Sequence, residues 1–218
     1  MLWHDEFAGP AGSAPNPKKW AYDLGNQDGF GNNELEVYTN SRANSFLDGQ
    51  GHLVIRALKT ATGYTSARLK SQGHFSALNG TWRALIKLQQ TPGTWPAWWF
   101  LNTGSGYAEI DVLEQYGSQL GWAPTTSVHT HPDGSGGDWS TNITVDDQWH
   151  EWSMTWNAAL KEMQFFKDNV QYWSTPMPAN WPPMFTLLNV ATGGAGGGST
   201  KNTKFPVDML VDYVQCWV

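Results

Sequence analysis

Apolar residues along this chain recur with period two far more often than with the 3.6 period of a helix, so strands are expected throughout. In Trp82-Arg83-Ala84-Leu85-Ile86-Lys87-Leu88 one face reads Trp82, Ala84, Ile86 and Leu88. Trp152, Met154 and Trp156 share a face, with Glu151, Ser153 and Thr155 opposite. Leu53 to Ala57 and Met209 to Val214 are shorter runs of the same kind. Turn-forming pairs separate them: Asp48-Gly49, Asn79-Gly80, Pro92-Gly93 and Asp133-Gly134. Many short strands between frequent turns predict an all-β sandwich or barrel. No linker interrupts the pattern, and 218 residues suit one domain over 1–218 that needs no disulfide or metal to hold its core.

Composition narrows the function. Thirteen Lys and Arg against nineteen Asp and Glu leave a net charge of -6. The basic footprint of a nucleic-acid binder is absent, so no nucleic-acid partner is expected. No apolar run approaches the roughly 18 residues of a membrane span, so no membrane partner is expected either. The single cysteine, Cys216, excludes an internal disulfide and a Cys-rich zinc site. Fourteen tryptophans in a chain only 15% charged suggest exposed rings for a flat, hydroxylated ligand, with a large aromatic core as the alternative. Gly193 to Gly198 is the one low-complexity patch. No Gly-Lys-Ser/Thr follows it, so it reads as a flexible loop beside a cleft rather than a phosphate site.

The chemistry concentrates in Ala108-Glu109-Ile110-Asp111-Val112-Leu113-Glu114. Glu109 and Asp111 are two apart on a predicted strand and so share a face. Glu114 is three beyond Asp111, and regular pleating turns it away. One extra residue, a β-bulge at about Val112-Leu113, returns it to the common face. Three acids on one face repel, which costs stability unless the repulsion is used. The use is a pair of carboxyl groups with separated pKa values, one attacking and one donating a proton, as glycoside hydrolysis requires. Neighbours on one strand match the roughly 5–5.5 Å of a retaining pair better than the wider inverting one. A calcium site and a solvated strand face are the alternatives.

Glu-Ile-Asp-Val-Leu-Glu resembles the signature of glycoside hydrolase family sixteen in its bulged, laminarinase-like form. Further landmarks follow in family order along nearly the whole chain. They are Trp3-His4-Asp5-Glu6-Phe7, Asn32-Asn33-Glu34-Leu35-Glu36-Val37-Tyr38-Thr39 and Tyr64-Thr65-Ser66-Ala67-Arg68. Thr94-Trp95-Pro96-Ala97-Trp98-Trp99, Val128-His129, Asn189-Val190-Ala191-Thr192-Gly193-Gly194 and Val211-Asp212-Tyr213-Val214 complete the series. The resemblance implies a concanavalin A-like jelly-roll β-sandwich with a concave substrate cleft. It implies a retaining mechanism on a polysaccharide, with Glu109 as nucleophile, Glu114 as general acid/base and Asp111 tuning the pair. It places Trp95 and Trp99 against the sugar. Arg68, Asn33 and Asn189 would hydrogen-bond the sugar or the carboxylates, and His129 matches a cleft histidine. Trp122 is a candidate for the leaving-group side. No cofactor is expected for catalysis. A structural calcium is implied at Asp212, with backbone carbonyls from about Glu6 and Gly51.

The chain also departs from the family pattern. Arg83 stands where relatives usually carry Glu, and Leu85 where they carry Arg, positions expected to shape the non-reducing side of the cleft. Gln215 replaces a frequent Arg. Met1-Leu2-Trp3-His4-Asp5-Glu6 lacks the basic start and apolar core of a secretory leader, as would a mature secreted domain with an added methionine. The expectation is a secreted monomer that cleaves β-1,3-glucan internally. Action on a mixed-linkage glucan or a galactan, transglycosylation, and glucan binding without catalysis are the rivals.

Overall fold

The computed structural model describes residues 1–120, 125–131, 138–157, 159–177 and 181–218. In chain order the strands are β1 (Trp3–Asp5), β2 (Ala21–Asp23), β3 (Glu36–Tyr38), β4 (Ser45–Leu47), β5 (Leu53–Thr60) and β6 (Gly63–Ser66). They continue as β7 (Arg68–Lys70), β8 (Gly80–Leu88), β9 (Thr94–Asn102), β10 (Tyr107–Glu114), β11 (Thr126–His131) and β12 (Asp138–Thr141). The last are β13 (Trp149–Asn157), β14 (Glu162–Lys167), β15 (Val170–Pro176), β16 (Met184–Thr192) and β17 (Val207–Trp217). One short helical turn, α1 (Gly194–Gly197), lies between β16 and β17.

The strands form two sheets. One runs β15-β14-β13-β8-β17-β5-β6-β3, with β1 on β17 and β4 on β5; the other runs β12-β11-β10-β9-β16-β7-β2. Every pairing between the strands is antiparallel except β3 with β6. This is the jelly-roll β-sandwich that the alternation and the resemblance predict. The alternating apolar faces explain the layering. Trp82, Ala84, Ile86 and Leu88 of β8, with Trp152, Met154 and Trp156 of β13, are buried. They meet Trp98 and Phe100 of β9 and Ala108, Ile110 and Val112 of β10 in one core. No helix among the described residues is long and apolar enough to cross a membrane.

Two expectations change. Much of the tryptophan belongs to the core: Trp20, Trp82, Trp98, Trp152, Trp156 and Trp181 are buried, and Trp3 and Trp173 pack against them. Rings of this size fill the wide space between two sheets, so their number reports sandwich packing more than ligand contact. The second change concerns Arg83 and Leu85. They belong to β8, in the sheet opposite β10, and alternate with residues buried between the sheets. Their side chains therefore point away from the core and from the β10 sheet, and they do not shape the face that carries the acids. Arg83 Nε donates to Gln215 Oε1 at 2.9 Å, its direct partner across β8 and β17. The departures at Arg83 and Gln215 are thus one cross-strand pair, polar in this chain where the family pattern makes it Glu with Arg.

Adjacent residues on β8 should respond very differently to truncation. Trp82→Ala should cost about 3–5 kcal/mol because it empties the core. Arg83→Ala, on a half-exposed outer face, should cost less than about 1 kcal/mol. Urea midpoints at constant slope measure both.

Candidate active site

β10 lies between β9 and β11 in the seven-stranded sheet. Its register against β9 shifts between Asp111 and Leu113: Asp111 pairs with Trp99, Leu113 with Trp98 and Glu114 with Ala97. Val112 is the extra residue, at the predicted place. Because Trp99 and Ala97 are two apart, Asp111 and Glu114 share a face, and Glu109, opposite Leu101, shares it too. A bulge leaves backbone groups without ladder partners. Here the Val112 carbonyl accepts from Thr126 Oγ1 at 2.9 Å, and the Tyr172 hydroxyl meets that same Thr126 oxygen at 2.6 Å.

The shared face lines a cleft of about 460 Å³ that also contains Phe30, Glu34, Arg68, Trp95, Trp99 and Asn189. Trp95 Nε1 donates to Glu114 Oε1 at 2.8 Å, and the Tyr116 hydroxyl donates to Glu114 Oε2 at 3.4 Å. Glycine at 196 makes the first of these bonds sterically possible. A Cβ there would lie 2.1 Å from Cδ2 of the Trp95 ring. The surrounding Gly193 to Gly198 segment is accordingly an ordered turn, with Gly93 N bonded to Gly197 O and Ala195 N to Asn32 O. The flexible loop read from its composition is tied on both sides.

The three acids differ in their surroundings. Burial raises the pKa of Glu114 well above the ordinary carboxylate range, and the charges of Asp111 and Glu109 raise it further. Glu109 is pushed up to about 8 by burial and by Asp111, against the pull of a Tyr107 hydrogen bond and the His129 and Arg68 charges. Asp111 is raised by burial and restrained by His129. His129 sits between two carboxylates, Nε2 3.3 Å from Asp111 Oδ2 and Nδ1 2.8 Å from Asp138 Oδ1. The Asp111 hydrogen bond outweighs desolvation and lifts the imidazole to about 9, so it is a cation at neutral pH.

The other predicted positions form a connected wall. The Arg68 guanidinium lies between the rings of Phe30 and Trp99, 4.6 Å from each centroid, and pairs with Asp23 at 2.9 Å. Asn189 Oδ1 accepts from Trp99 Nε1 at 2.8 Å, while its Nδ2 donates to the Tyr38 hydroxyl at 3.0 Å. Both residues therefore fix the Trp99 ring. Asn33 takes a left-handed φ of 59° and is exposed. The turn sends it to solvent and leaves Asn32 and Glu34 to line the cleft. Trp122 lies outside the described residues. Sequence reasoning passed over Tyr107, Tyr116, Leu101 and Asp138. The first two continue the face of Glu109 and Glu114 at two-residue spacing, and Leu101 continues Trp95 and Trp99, so alternation alone could have found all three.

The same side chains include groups that could ligate a metal. Among the described residues, Glu109, Asp111 and His129 hold ligand atoms within 4.8 Å of one another. Both nitrogens of that histidine already face carboxylates, Asp111 and Asp138, which favour a proton over a metal at the imidazole. Asp212 differs. It stands at the register shift of β17 against β8, between Val211 and Tyr213. On the other edge of β17, β1 pairs through Asp5 with Val214 and β5 through Leu53 with Val211. The chain leaving β1 at Glu6 and the chain entering β5 from Gly51 thus converge on Asp212. Its carboxylate makes no hydrogen bond or ion pair with a described residue. A carboxylate without a partner among the described residues, where two chain segments meet, is the hard-oxygen kind of donor that calcium takes.

The sequence model described as glycosyl hydrolases family 16 matches residues 31–215. The chain is 31% identical over 246 residues to a β-glucanase of Rhodothermus marinus, covering 100% of this chain and 84% of that protein. It is 29% identical over 265 residues to glucan endo-1,3-β-glucosidase A1 of Niallia circulans, of whose length it spans 37%. Among solved structures it resembles an immunostimulatory antigen and pseudo β-1,3-glucanase of Mycobacterium tuberculosis. That likeness has a TM-score of 0.86 at 35% identity and covers 100% of this chain and 98% of that one.

Thr126 supplies the donor that satisfies the bulge. Thr126→Val keeps the shape and removes that donor, leaving the Val112 carbonyl the weaker contact of the Tyr172 hydroxyl at 3.5 Å, so stability should fall by about 1–3 kcal/mol. Tyr172→Phe should cost less, because Thr126 still reaches the carbonyl. Guanidinium unfolding of both variants measures the difference.

Proposed function

Because the chain belongs to glycosyl hydrolases family 16, we propose that it is an endo-acting, retaining hydrolase of β-1,3-glucan. Glu109 is the nucleophile and Glu114 the general acid/base. The observation that carries this reading is one bulged strand presenting two glutamates to one cleft in unlike surroundings. Glu114, the more deeply buried, keeps its proton to higher pH. Glu109 has a phenol and two cations to favour its ionised form, so it ionises first. That ordering supports the division of roles, which sequence spacing alone leaves open.

In the first step Glu109 Oε attacks the anomeric carbon and the glycosidic C–O bond breaks. Glu114 gives its proton to the departing oxygen, so the leaving sugar carries a neutral hydroxyl. In the second step water attacks the same carbon, Glu114 takes the water's proton, and Glu109 leaves as a carboxylate. Asp111 lies between them, bonded to His129, which favours a negative charge on it against the effect of burial. That charge raises both glutamates and helps stabilise the oxocarbenium-like transition state. Trp95 and Trp99 offer ring faces to the axial C–H bonds of glucose units. The name of the Niallia relative supports internal cleavage of 1,3-linkages, and the bulged form of the signature favours laminarin-type substrates. A polymeric substrate of this kind supports reading the protein as secreted.

The experiment is reducing-sugar release from laminarin, curdlan, lichenan and agarose. Glu109→Gln should reduce turnover by at least about 10⁴-fold while laminarin still binds. Glu114→Gln should lose about 10²–10⁴-fold, and less on substrates with good leaving groups. The wild-type rate should rise as Glu109 loses its proton and fall only where Glu114 loses its own. Turnover retained in Glu109→Gln overturns the assignment. The solved relative described as a pseudo β-1,3-glucanase motivates a second reading, glucan binding without hydrolysis. Wild-type protein that binds laminarin and releases no sugar establishes it.

Calcium at Asp212 would tie the ends of β1 and β5 to β17 and takes no part in the chemistry. Millimolar Ca²⁺ should then raise the melting temperature by several degrees over EDTA-treated protein, since binding to the folded state alone adds about 2.7 kcal/mol at a hundredfold excess over Kd. Asp212→Ala should lose that increment. A melting temperature indifferent to Ca²⁺ excludes the site.

A further inference from the structure

Residues 30–34 form one wall of the cleft and have no regular strand of their own. Their backbone passes through left-handed φ at Asp28, Phe30 and Asn33, 55°, 50° and 59°. Non-glycine residues adopt this region only when the surroundings impose it. Part of the restraint comes from Asn26. Its Oδ1 accepts from Gly29 N at 2.9 Å, and its Nδ2 donates to the carbonyls of Glu34 and Glu36 at 2.9 and 2.8 Å.

The rest lies behind the wall, where two carboxyl groups are packed together. Glu34 is 6% exposed and Glu36 0%. They are two apart on an extended run and share a face. Glu34 Oε2 accepts from the Tyr38 hydroxyl at 2.9 Å and Oε1 from Asn32 Nδ2 at 3.4 Å. Glu36 Oε2 accepts from Thr192 N at 2.6 Å. Glu36 Oε1 is buried and has no donor among the described residues. Were Glu36 ionised, that oxygen would be charged, dry and unsatisfied beside a second carboxylate, an arrangement that costs several kcal/mol. A proton on it removes the charge and supplies a donor that the neighbouring Glu34 carboxylate can accept.

We propose that Glu36 is a positioning residue whose carboxyl group stays protonated and donates to the Glu34 carboxylate, and that this proton fixes the wall of the sugar cleft. Glu34 then holds Tyr38, Tyr38 holds Asn189, and Asn189 holds the Trp99 ring. On its other side Glu36 is bonded to β16 through Thr192. The proton thus joins the 26–34 turn to the strand beneath the cleft. The titratable and charged groups around it are few. Glu34 and Tyr38 come from its own run, and Arg68 of β7 acts on Tyr38. β6, paired with β3, brings Tyr64, Thr65 and Ser66, and β16 brings Asn189 to Thr192, none of them charged. Burial first, and then Glu34, push the Glu36 carboxyl up to about 8. The unfolded chain ionises near 4.5, so the folded state keeps a proton that the unfolded state has released. Wild-type stability should therefore fall as pH rises through this window.

The test has two arms. Protein labelled at the glutamate δ-carbon is titrated by NMR, with the Glu36 signal assigned by through-bond correlation in the wild type. A midpoint near 8 supports the proposal, and one near the ordinary 4.5 overturns it. This arm needs neither a substrate nor a folded variant. The second arm uses Glu36→Gln, whose amide can donate to Glu34 and accept from Thr192 at every pH. It rests on the glucanase reading. The wild-type KM for laminarin oligosaccharides should rise about tenfold as the proton is lost, and Glu36→Gln should lose that rise while keeping the wild type's pH dependence of kcat, which Glu109 governs. Parallel rises in both proteins overturn the positioning role. Its melting temperature should overtake the wild type's increasingly up to about pH 8 and then keep a constant lead. If no glucan is turned over, the proposed function fails and the NMR midpoint alone decides the proton.

Discussion

Three carboxyl groups on one face of one strand are the constraint around which this molecule is arranged. Buried together in water they would repel and hydrate. In the cleft they are held by a strand whose opposite face, Ala108, Ile110 and Val112, is locked into hydrocarbon. The core thus supplies the free energy that keeps the acids close. The bulge at Val112 is where the two demands meet. Only Val112 and Leu113 lie between Asp111 and Glu114, yet both acids must face the cleft while those two remain buried. The extra residue resolves the conflict, and the hydroxyls of Thr126 and Tyr172 absorb its one backbone debt.

Charge is then distributed so that the three acids are not equivalent. His129 meets Asp111 on one side and Asp138 on the other, which keeps the imidazole protonated and lets the central acid hold a negative charge. That charge acts on both glutamates. Glu109 also feels Tyr107, His129 and Arg68, while Glu114 is met only by the neutral donors Trp95 and Tyr116. Unlike surroundings split the proton affinities of two identical side chains, which is the condition for one to attack and the other to donate.

How much of this was legible in the sequence depends on the range of the interaction. Whatever follows from period-two alternation along one strand could be read: the shared face of Glu109 and Asp111, the bulge that returns Glu114, and the pairing of Trp95 with Trp99 on one face. Alternation also held the clue to Tyr107 and Tyr116, which extend the same face. What crosses between strands could not be read. That His129 stands opposite Glu109 and touches both Asp111 and Asp138 depends on the register of β10, β11 and β12. The assignment of Arg83 and Leu85 to the cleft failed for a related reason. Alternation shows that they oppose Trp82, but only the sheet order shows that β8 belongs to the other layer. Tryptophan content misled because composition cannot separate a ring packed between sheets from one facing a sugar.

The two cleft tryptophans show why this site uses indole where a phenyl ring would also stack on a sugar. Each ring offers a face to the cleft and an N–H at its edge. Trp95 directs that N–H to the carboxylate of Glu114, and Trp99 directs its own to Asn189. Stacking surface and polar framework are therefore one object, so a ring cannot tilt toward a sugar without straining a hydrogen bond to a titrating group or to its support. Gly196 belongs to the same device, since any side chain there would displace Trp95. Arg68 belongs to it as well, clasped between Phe30 and Trp99. The aromatic lining of the cleft and its titrating groups are thus joined through the edges of the two indole rings.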